Sequence, residues 1–161
     1  MLHRIGIILA ALVGACLLAF GGLYLAGYRI YRIPTAAMEP TIEKDEMVVG
    51  CLSESYRDHV ARFDIVIYRA PQASGEIYAK RVVGMPAEKI AIDKRGVFVG
   101  GKMLALPSAV STDGLRLKRC SLVLPSDGVF VLGDLTSNSL DSRYLGPVPK
   151  KDVIGYLVFK K

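Results

Sequence analysis

The sequence predicts a mostly β protein, in which an antiparallel, sandwich or barrel-like sheet domain follows one N-terminal transmembrane helix. Residues 5–28 form an apolar run without a charged side chain. Short segments rich in β-branched residues follow, and turn signals separate them about every 8–15 residues. After residue 28, no stretch of ten residues keeps the 3.6-residue period of an amphipathic helix. With 161 residues, the chain can bury one core but not two large ones.

The apolar run is long enough to span a bilayer, because about 20 residues cross the hydrocarbon core. A cleaved secretory signal has a shorter apolar region of roughly 7–15 residues. A lipoprotein signal ending at Cys16 fits less well, because the chain stays apolar beyond that cysteine. We therefore predict a tail at residues 1–4, a retained anchor at 5–28 and one domain at 29–161. Arg4 on one side and Arg29 and Arg32 on the other are too nearly balanced to set the orientation.

Several segments of the domain have the composition of strands. They are residues 47–49, 64–68, 77–83, 90–92, 97–99, 129–132 and 153–159. Turn residues at 93–96 join two of these segments and predict a hairpin. Residues 115–124 begin with alternation and predict a further strand. Residues 106–114, rich in Pro, Ser and Gly, predict a mobile surface loop.

Charge and cysteine content argue against several functions. The formal charge is +6, but the basic residues are scattered and form no stripe of the kind that nucleic-acid binding needs. We interpret them as a solvated surface with a bias toward anionic lipid headgroups. No CxxC or HExxH motif is present, so neither a metal nor another cofactor is predicted. Cys51 and Cys120 either form a disulfide, which export would permit, or remain separate thiols.

Three clusters in the domain carry chemically distinctive residues. Residues 33–42 read Ile-Pro-Thr-Ala-Ala-Met-Glu-Pro-Thr-Ile, residues 78–86 read Tyr-Ala-Lys-Arg-Val-Val-Gly-Met-Pro, and residues 133–143 read Gly-Asp-Leu-Thr-Ser-Asn-Ser-Leu-Asp-Ser-Arg. In order and character they resemble the boxes of bacterial type I signal peptidases, which are serine–lysine proteases. The family forms are P-S/T-x-S-M-x-P-T, then Y-x-K-R-V-x-G-x-P, then a box that begins G-D and ends N-S-x-D-S-R. Residues 62–67 resemble the strand between the first two boxes, so the likeness runs from the anchor to about residue 147.

One position departs from the family pattern. The serine before the methionine of the first box is the family's nucleophile, and here that position holds Ala37. A methyl group cannot attack a carbonyl, so the resemblance implies a catalytic framework without its nucleophile. Two explanations stay open. One is a serine deliberately changed to alanine to trap the enzyme inactive, which the survival of the other boxes favours; the other is a natural pseudoprotease that still binds signal peptides.

The resemblance makes Lys80 the general base of a Ser–Lys dyad. To accept a proton this lysine must be neutral, so its pKa must fall by roughly 3 units from about 10.4, and burial in an apolar site can supply that shift. Lys80 lies between Ala79 and the pair Val82-Val83, and alternation along a strand places Arg81 on the opposite face. The simpler alternative is a lysine on the solvent face of the strand.

The remaining catalytic roles also come from the resemblance. Thr35 and the backbone N–H of residue 37 would form the oxyanion hole. Ser139 would hydrogen-bond the lysine amine and hold it in place, and Asp141 and Arg143 would form an ion pair that braces the site. On local grounds alone, Thr35 and Ser139 could belong to ordinary turns, and the ion pair could be purely structural.

The resemblance also implies how substrate binds. An extended peptide would add as a strand beside residues 33–36 and 76–79. The predicted substrate-binding residues are Ile33, Pro34, Ala36, Met38, Glu76, Ile77, Tyr78 and Ala79. Small pockets would select signal peptides of the Ala-x-Ala type, at a domain outside the cytoplasm that is anchored in the lipid bilayer of the cell membrane. A pilin-processing peptidase of the same family and a non-catalytic membrane-anchored β module remain alternatives.

Overall fold

The computed structural model describes residues 2–53, 55–70 and 76–158, and it begins with a long apolar helix. Helix α1 spans Leu2–Leu25. Its segment Arg4–Leu25 is long and apolar enough to cross a membrane, and it is not buried against the rest of the chain. The helix ends at Leu25 rather than at residue 28, because Tyr28 already pairs with Cys51 in the first strand.

Most of the described domain belongs to a seven-stranded sheet. Its strands, numbered in chain order with those of the second sheet, are β1 (Tyr28–Arg32), β2 (Met47–Leu52), β3 (Ile65–Ala70), β4 (Glu76–Gly84), β9 (Gly128–Leu132), β10 (Val148–Pro149) and β11 (Val153–Leu157). The strand order is β1-β2-β11-β3-β4-β9-β10, and every neighbouring pair is antiparallel. Strand β4 pairs with β3 from Glu76 to Arg81 but with β9 only from Arg81 onward. Its first half therefore has one open edge within the described pairings.

A second antiparallel sheet contains four of the described strands. They are β5 (Lys89–Asp93), β6 (Gly96–Val99), β7 (Lys102–Met103) and β8 (Cys120–Val123), in the order β7-β6-β5-β8. The predicted hairpin is confirmed, since β5 and β6 pair with Asp93 opposite Gly96. A short helix, α2 (Ser142–Leu145), follows β9 and closes the third sequence cluster.

Two apolar clusters hold the site in place. In one, Val83, Phe130 and Leu132 of the large sheet pack against buried residues of the small sheet, which include Ile90 and Ile92. In the other, Met38 and Ile42 of the first sequence cluster pack against Ile65 and Ile67 of β3. Burial of this kind stabilises by about 25 cal/mol per Å² of apolar surface. The segment that carries position 37 is thereby fixed to the face of the large sheet.

The mostly β fold is confirmed, and the predicted strands overlap β2, β3, β4, β5, β6, β9 and β11, although Asp64 precedes β3 and Val158 follows β11. Two local predictions are wrong. Residues 115–124 are not one strand, because Asp113–Leu117 forms a 3-10 turn and pairing begins only at Cys120. Residues 106–114 are not a mobile loop, because the Ser111 N–H donates to the Asp134 carbonyl at 2.8 Å and the Gly114 carbonyl accepts from Arg143. The end of the predicted last strand, Phe159, lies outside the described residues.

The cysteines resolve the alternative that the sequence left open. Cys51 lies in β2 of the large sheet and Cys120 in β8 of the small sheet, and both thiols are free. The disulfide is therefore absent from this structure, and the two thiols are separate.

Candidate active site

Three segments that are distant in sequence meet at β4. The first cluster lies between β1 and β2, the second lies on β4, and the third follows β9. Because Leu132 of β9 pairs with Arg81 of β4, the third cluster leaves the sheet beside the basic pair Lys80-Arg81. The backbone N–H of Leu135 donates to the Ala37 carbonyl at 3.1 Å, which joins the third cluster to the first. The fold thus brings together the three motifs that the sequence singled out.

A groove of about 510 Å³ runs between the open edge of β4 and the segment that follows β1. Its lining includes Thr35, Lys80 and six of the eight predicted substrate-binding residues, but not Ala37 or Ser139. The lining residues are Tyr31, Arg32, Ile33, Pro34, Thr35, Ile67, Arg69, Glu76, Ile77, Tyr78, Ala79 and Lys80. An open strand edge beside such a groove can take up an extended peptide through main-chain hydrogen bonds.

Lys80 is a buried basic residue of this groove, with 4% of its surface exposed. The alternative of a solvent-facing lysine is therefore wrong. Its Nζ donates to the Ala79 carbonyl at 3.3 Å and lies 5.2 Å from the centre of the Tyr78 ring. Burial disfavours the charged form and lowers the pKa of Lys80 to about 8, against the opposing attraction of Asp141 and Asp134. A useful fraction of the amine is neutral near pH 8 and can accept a proton.

Both carboxylates that act on Lys80 are already bound by arginines. Arg143 donates from Nε and Nη2 to the two oxygens of Asp141 at 2.8 and 2.9 Å, so the predicted ion pair is present. Arg81 donates in the same way to Asp134 at 2.7 and 2.6 Å. Bidentate pairs of this kind engage both carboxylate oxygens. Among the described residues, no carboxylate forms a salt bridge with Lys80.

The network around Arg81 is the part of the site that sequence reasoning missed. Arg81 also donates to the Phe63 carbonyl at 2.9 Å and to Thr41 Oγ1 at 3.1 Å, and Thr41 in turn donates to Asp134. Alternation correctly separates Arg81 from the face of Lys80, but it does not reveal that both side chains are buried. Thr41, Arg81 and Asp134 come one from each cluster and have no role in the resemblance, yet they form one network.

Position 37 lies in a short 3-10 turn, Ala36–Met38, and is buried. Thr35 is exposed at the start of this turn and lines the same groove as Lys80. Ser139 and the Ala37 carbonyl both lie close to Gly133. A Cβ atom on Gly133 would collide with both the Ser139 Oγ and the Ala37 carbonyl oxygen, so only glycine fits between them.

The predicted hydrogen bond from Ser139 to Lys80 is wrong for this structure. The Ser139 Oγ is buried without a hydrogen-bond partner among the described residues. It packs toward Gly133 and the Ala37 carbonyl, while Lys80 donates to the Ala79 carbonyl instead. A buried hydroxyl without a partner costs on the order of 1–3 kcal/mol. Ser139 is therefore an unsatisfied polar group beside the site.

Two predicted substrate-binding residues lie outside the groove lining. Met38 is completely buried and packs with Ile42 and Ile65, so it anchors the turn in the core rather than touching a peptide. Ala36 is half-buried at the start of the turn. Both residues shape the site through the backbone that they hold.

The acidic groups of the site do not form a metal-binding cluster. Within residues 2–53, 55–70 and 76–158, no three His, Cys, Asp or Glu side chains are placed to hold a metal ion. Asp134 and Asp141 are engaged by arginines instead.

A peptide-sized groove with a buried lysine and a threonine hydroxyl beside one tight turn is the framework of a serine–lysine peptidase. Comparison with known families agrees with this class. The family described as signal peptidase, peptidase S26, matches residues 4–160, and the chain belongs to that family.

Individual relatives support the same assignment. The chain is 31% identical to the probable signal peptidase I-2 of Synechocystis, over 89% of this chain and 67% of that protein. It is 30% identical to signal peptidase I V of Bacillus subtilis, over 79% of this chain and 82% of that protein. A crystal structure of a signal peptidase I from Enterococcus faecalis superposes with a TM-score of 0.54 at 29% identity, over 62% of this chain and 97% of that chain.

Asp134→Asn should destabilise the domain strongly. The change leaves Arg81 as a buried cation without its anion, and breaking such a pair costs about 3–5 kcal/mol of unfolding free energy. Asp45→Asn is the matched control, because the Arg32–Asp45 pair is largely exposed and should contribute less than about 1 kcal/mol. Urea unfolding of the protein in detergent micelles measures both. Equal losses for the two variants would contradict the network described for Arg81.

Proposed function

We propose that this chain binds the signal peptides of exported preproteins and that, with Ala37 at the nucleophile position, it does not cleave them. The observation that carries the proposal is the groove. The buried amine of Lys80 and the hydroxyl of Thr35 line one cavity, and position 37 beside it supplies only a methyl group. Homologues of the chain are signal peptidase I serine peptidases, which supports signal peptides as the ligand class.

The peptide would bind as an added strand along β4. Residues 76–80 present an open edge in the described pairings. On the opposite wall, the N–H and C=O of Ile33 are already bonded to Glu46 and Asp45, so main-chain contacts to the peptide would begin at Pro34. Ile67 and Ala79 pair across the strands and lie on one face, beside the groove. This apolar floor would suit the small alternate side chains of an Ala-x-Ala sequence.

The missing hydroxyl determines what the site would do. With serine at position 37, Lys80 would take the hydroxyl proton while the serine oxygen attacks the scissile carbonyl carbon. The Thr35 hydroxyl and the N–H of residue 37 would donate to the resulting oxyanion. Lys80 would return the proton to the leaving amine, and water activated by Lys80 would then hydrolyse the acyl-enzyme.

The groove is proposed to lie at the outer surface of the membrane, where signal peptides emerge. Only Ala26 and Gly27 separate α1 from β1, and β1 runs directly into the groove wall at Tyr31. A short chain path therefore connects the anchor to the site.

A reporter fused after Lys161 tests this orientation. In a Gram-negative host, a reporter that is active only in the periplasm should be active, and the matched reporter that is active only in the cytoplasm should be silent. The reverse pattern would refute an extracytoplasmic site. Both fusions should insert to the same level, which membrane fractionation checks.

Ala37→Ser should create peptidase activity, and Lys80→Met in the same background should abolish it. Nucleophile and base act as a unit, so the loss of either should cost nearly the whole rate. Because the pKa of Lys80 is about 8, the rate of the Ala37→Ser variant should rise with pH as the ammonium loses its proton and reach half its maximum near pH 8. Cleavage of a purified preprotein by the four combinations at positions 37 and 80 measures this.

Binding provides the control for these variants. The Ala37 form should bind an Ala-x-Ala peptide saturably without cutting it, and a scrambled peptide should bind at least about tenfold more weakly, a difference of about 1.4 kcal/mol. Cleavage by the Ala37 form would mean that the nucleophile lies elsewhere. Equal binding of the scrambled peptide would refute the groove as a signal-peptide site. A folded Ala37→Ser variant that binds but does not cut would make the chain a binding protein whose site has lost more than one group.

A further inference from the structure

We propose that Lys80 acts in this chain as a nucleophile, forming an imine with an aldehyde at the C-terminus of a peptide bound in the groove. The inference rests on the proposed function, because the groove must deliver the peptide to the amine. Its starting point is an unused group: the chain keeps a buried lysine amine, yet Ala37 offers that amine no hydroxyl proton to accept. Because Lys80 lines the groove, its amine is a nucleophile within reach of a peptide bound there.

The amine of Lys80 is held only weakly. Its hydrogen bond within the described part of the chain goes to the Ala79 carbonyl at 3.3 Å, which is longer than the usual 2.9–3.0 Å. None of the described carboxylates forms a salt bridge with it. Forming a bond to carbon therefore breaks one weak hydrogen bond and no ion pair.

The groups that face Lys80 favour its neutral form. Burial raises the pKa of both Tyr78 on β4 and Tyr68 on β3, so these phenols stay protonated and supply no anion. Asp141 and Asp134 in the third cluster attract the ammonium, but each is bound by an arginine. Desolvation is the larger effect, and it holds the pKa of Lys80 at about 8.

This environment predicts selective reaction at Lys80. At pH 7.5 about a quarter of an amine with a pKa near 8 is neutral, against about one part in 1,000 for a solvated lysine with a pKa of about 10.4. A nucleophile of lower pKa is also intrinsically less reactive. With a Brønsted slope like that of thiols, this lower reactivity reduces the advantage about tenfold. The remaining advantage is about tenfold or more before any contribution from binding in the groove.

Imine formation between the Lys80 amine and an aldehyde needs neither an oxidant nor a metal. The Nζ lone pair attacks the aldehyde carbon, the C=O bond becomes a C–O bond, and the nitrogen passes a proton to oxygen to give a carbinolamine. Loss of the hydroxyl group with the second amine proton releases one water and leaves a C=N bond. An amide carbonyl would instead have to expel an amine to form an isopeptide bond, so the aldehyde is the electrophile class that the site can capture reversibly.

The test uses the full chain in detergent micelles with an Ala-x-Ala peptide aldehyde and sodium cyanoborohydride, which reduces the imine to a stable secondary amine. Mass mapping after proteolysis then gives the extent of labelling at each lysine. We expect labelling at Lys80 to exceed that at Lys89, an exposed lysine on β5, by at least about tenfold at pH 7.5. The ratio should fall as the pH rises past 8, because Lys80 is then mostly neutral and gains little further reactivity.

Variants and a competitor make the result specific. Lys80→Met should abolish the major adduct, and Lys89→Met should leave it unchanged. The same peptide with a C-terminal carboxamide, which cannot react, should suppress the adduct at the concentration at which it saturates the groove. Mass mapping of the labelled protein without substitutions gives the ratio of Lys80 to Lys89 labelling even if the Lys80→Met variant does not fold.

The outcomes separate this inference from the proposed function. Saturable binding of the carboxamide peptide without a Lys80 adduct would overturn the inference and leave the proposed function standing. Equal labelling of Lys80 and Lys89, or an adduct that the carboxamide peptide does not suppress, would overturn it as well. Absence of both binding and adduct would refute the proposed function together with the inference.

Discussion

The site depends on one constraint, which is that Lys80 is buried without an acidic salt-bridge partner among the described residues. An opposite charge within about 4–6 Å would favour the ammonium and cancel the effect of burial. Asp134 and Asp141 both act on Lys80, but each carboxylate is engaged through two nitrogens of an arginine. Arg81 and Arg143 pair with the carboxylates whose attraction raises the pKa of Lys80. The arginines therefore favour the neutral amine without touching it.

The same arginines hold the backbone of the site together. Arg81 reaches Thr41 in the first cluster, and Arg143 donates to the carbonyls of Gly114 and Thr136 at 2.8 and 2.7 Å. Gly114 in turn donates its N–H to the Thr136 hydroxyl. Because these ion pairs are buried, losing one partner leaves an uncompensated charge in the core. The positions of the clusters and the protonation of the lysine are therefore linked, and a change that disturbs one should disturb the other.

The sequence predicts the features that depend on local pattern and misses those that depend on distant partners. Apolar length identifies the anchor, β-branched composition identifies most strands, and the three boxes meet as the family resemblance implies. Residues 106–114 have the composition of a free loop, yet contacts with the third cluster hold them in place. The Arg81 network joins residues 40 and 53 positions apart, and no local period encodes it. The resemblance implies a bond from Ser139 to Lys80, but the Ser139 hydroxyl packs against Gly133 instead.

The pKa of Lys80 determines whether this amine can act as a base or as a nucleophile near neutral pH. It can be measured by NMR, by following the 13Cε resonance of Lys80 against pH in the full chain in micelles and assigning that resonance with the Lys80→Met variant. We predict a pKa of about 8 for Lys80. A pKa at or above the free-lysine value of about 10.4 would contradict this prediction, because the amine would then be an ammonium at neutral pH, unable to act as a base or as a nucleophile.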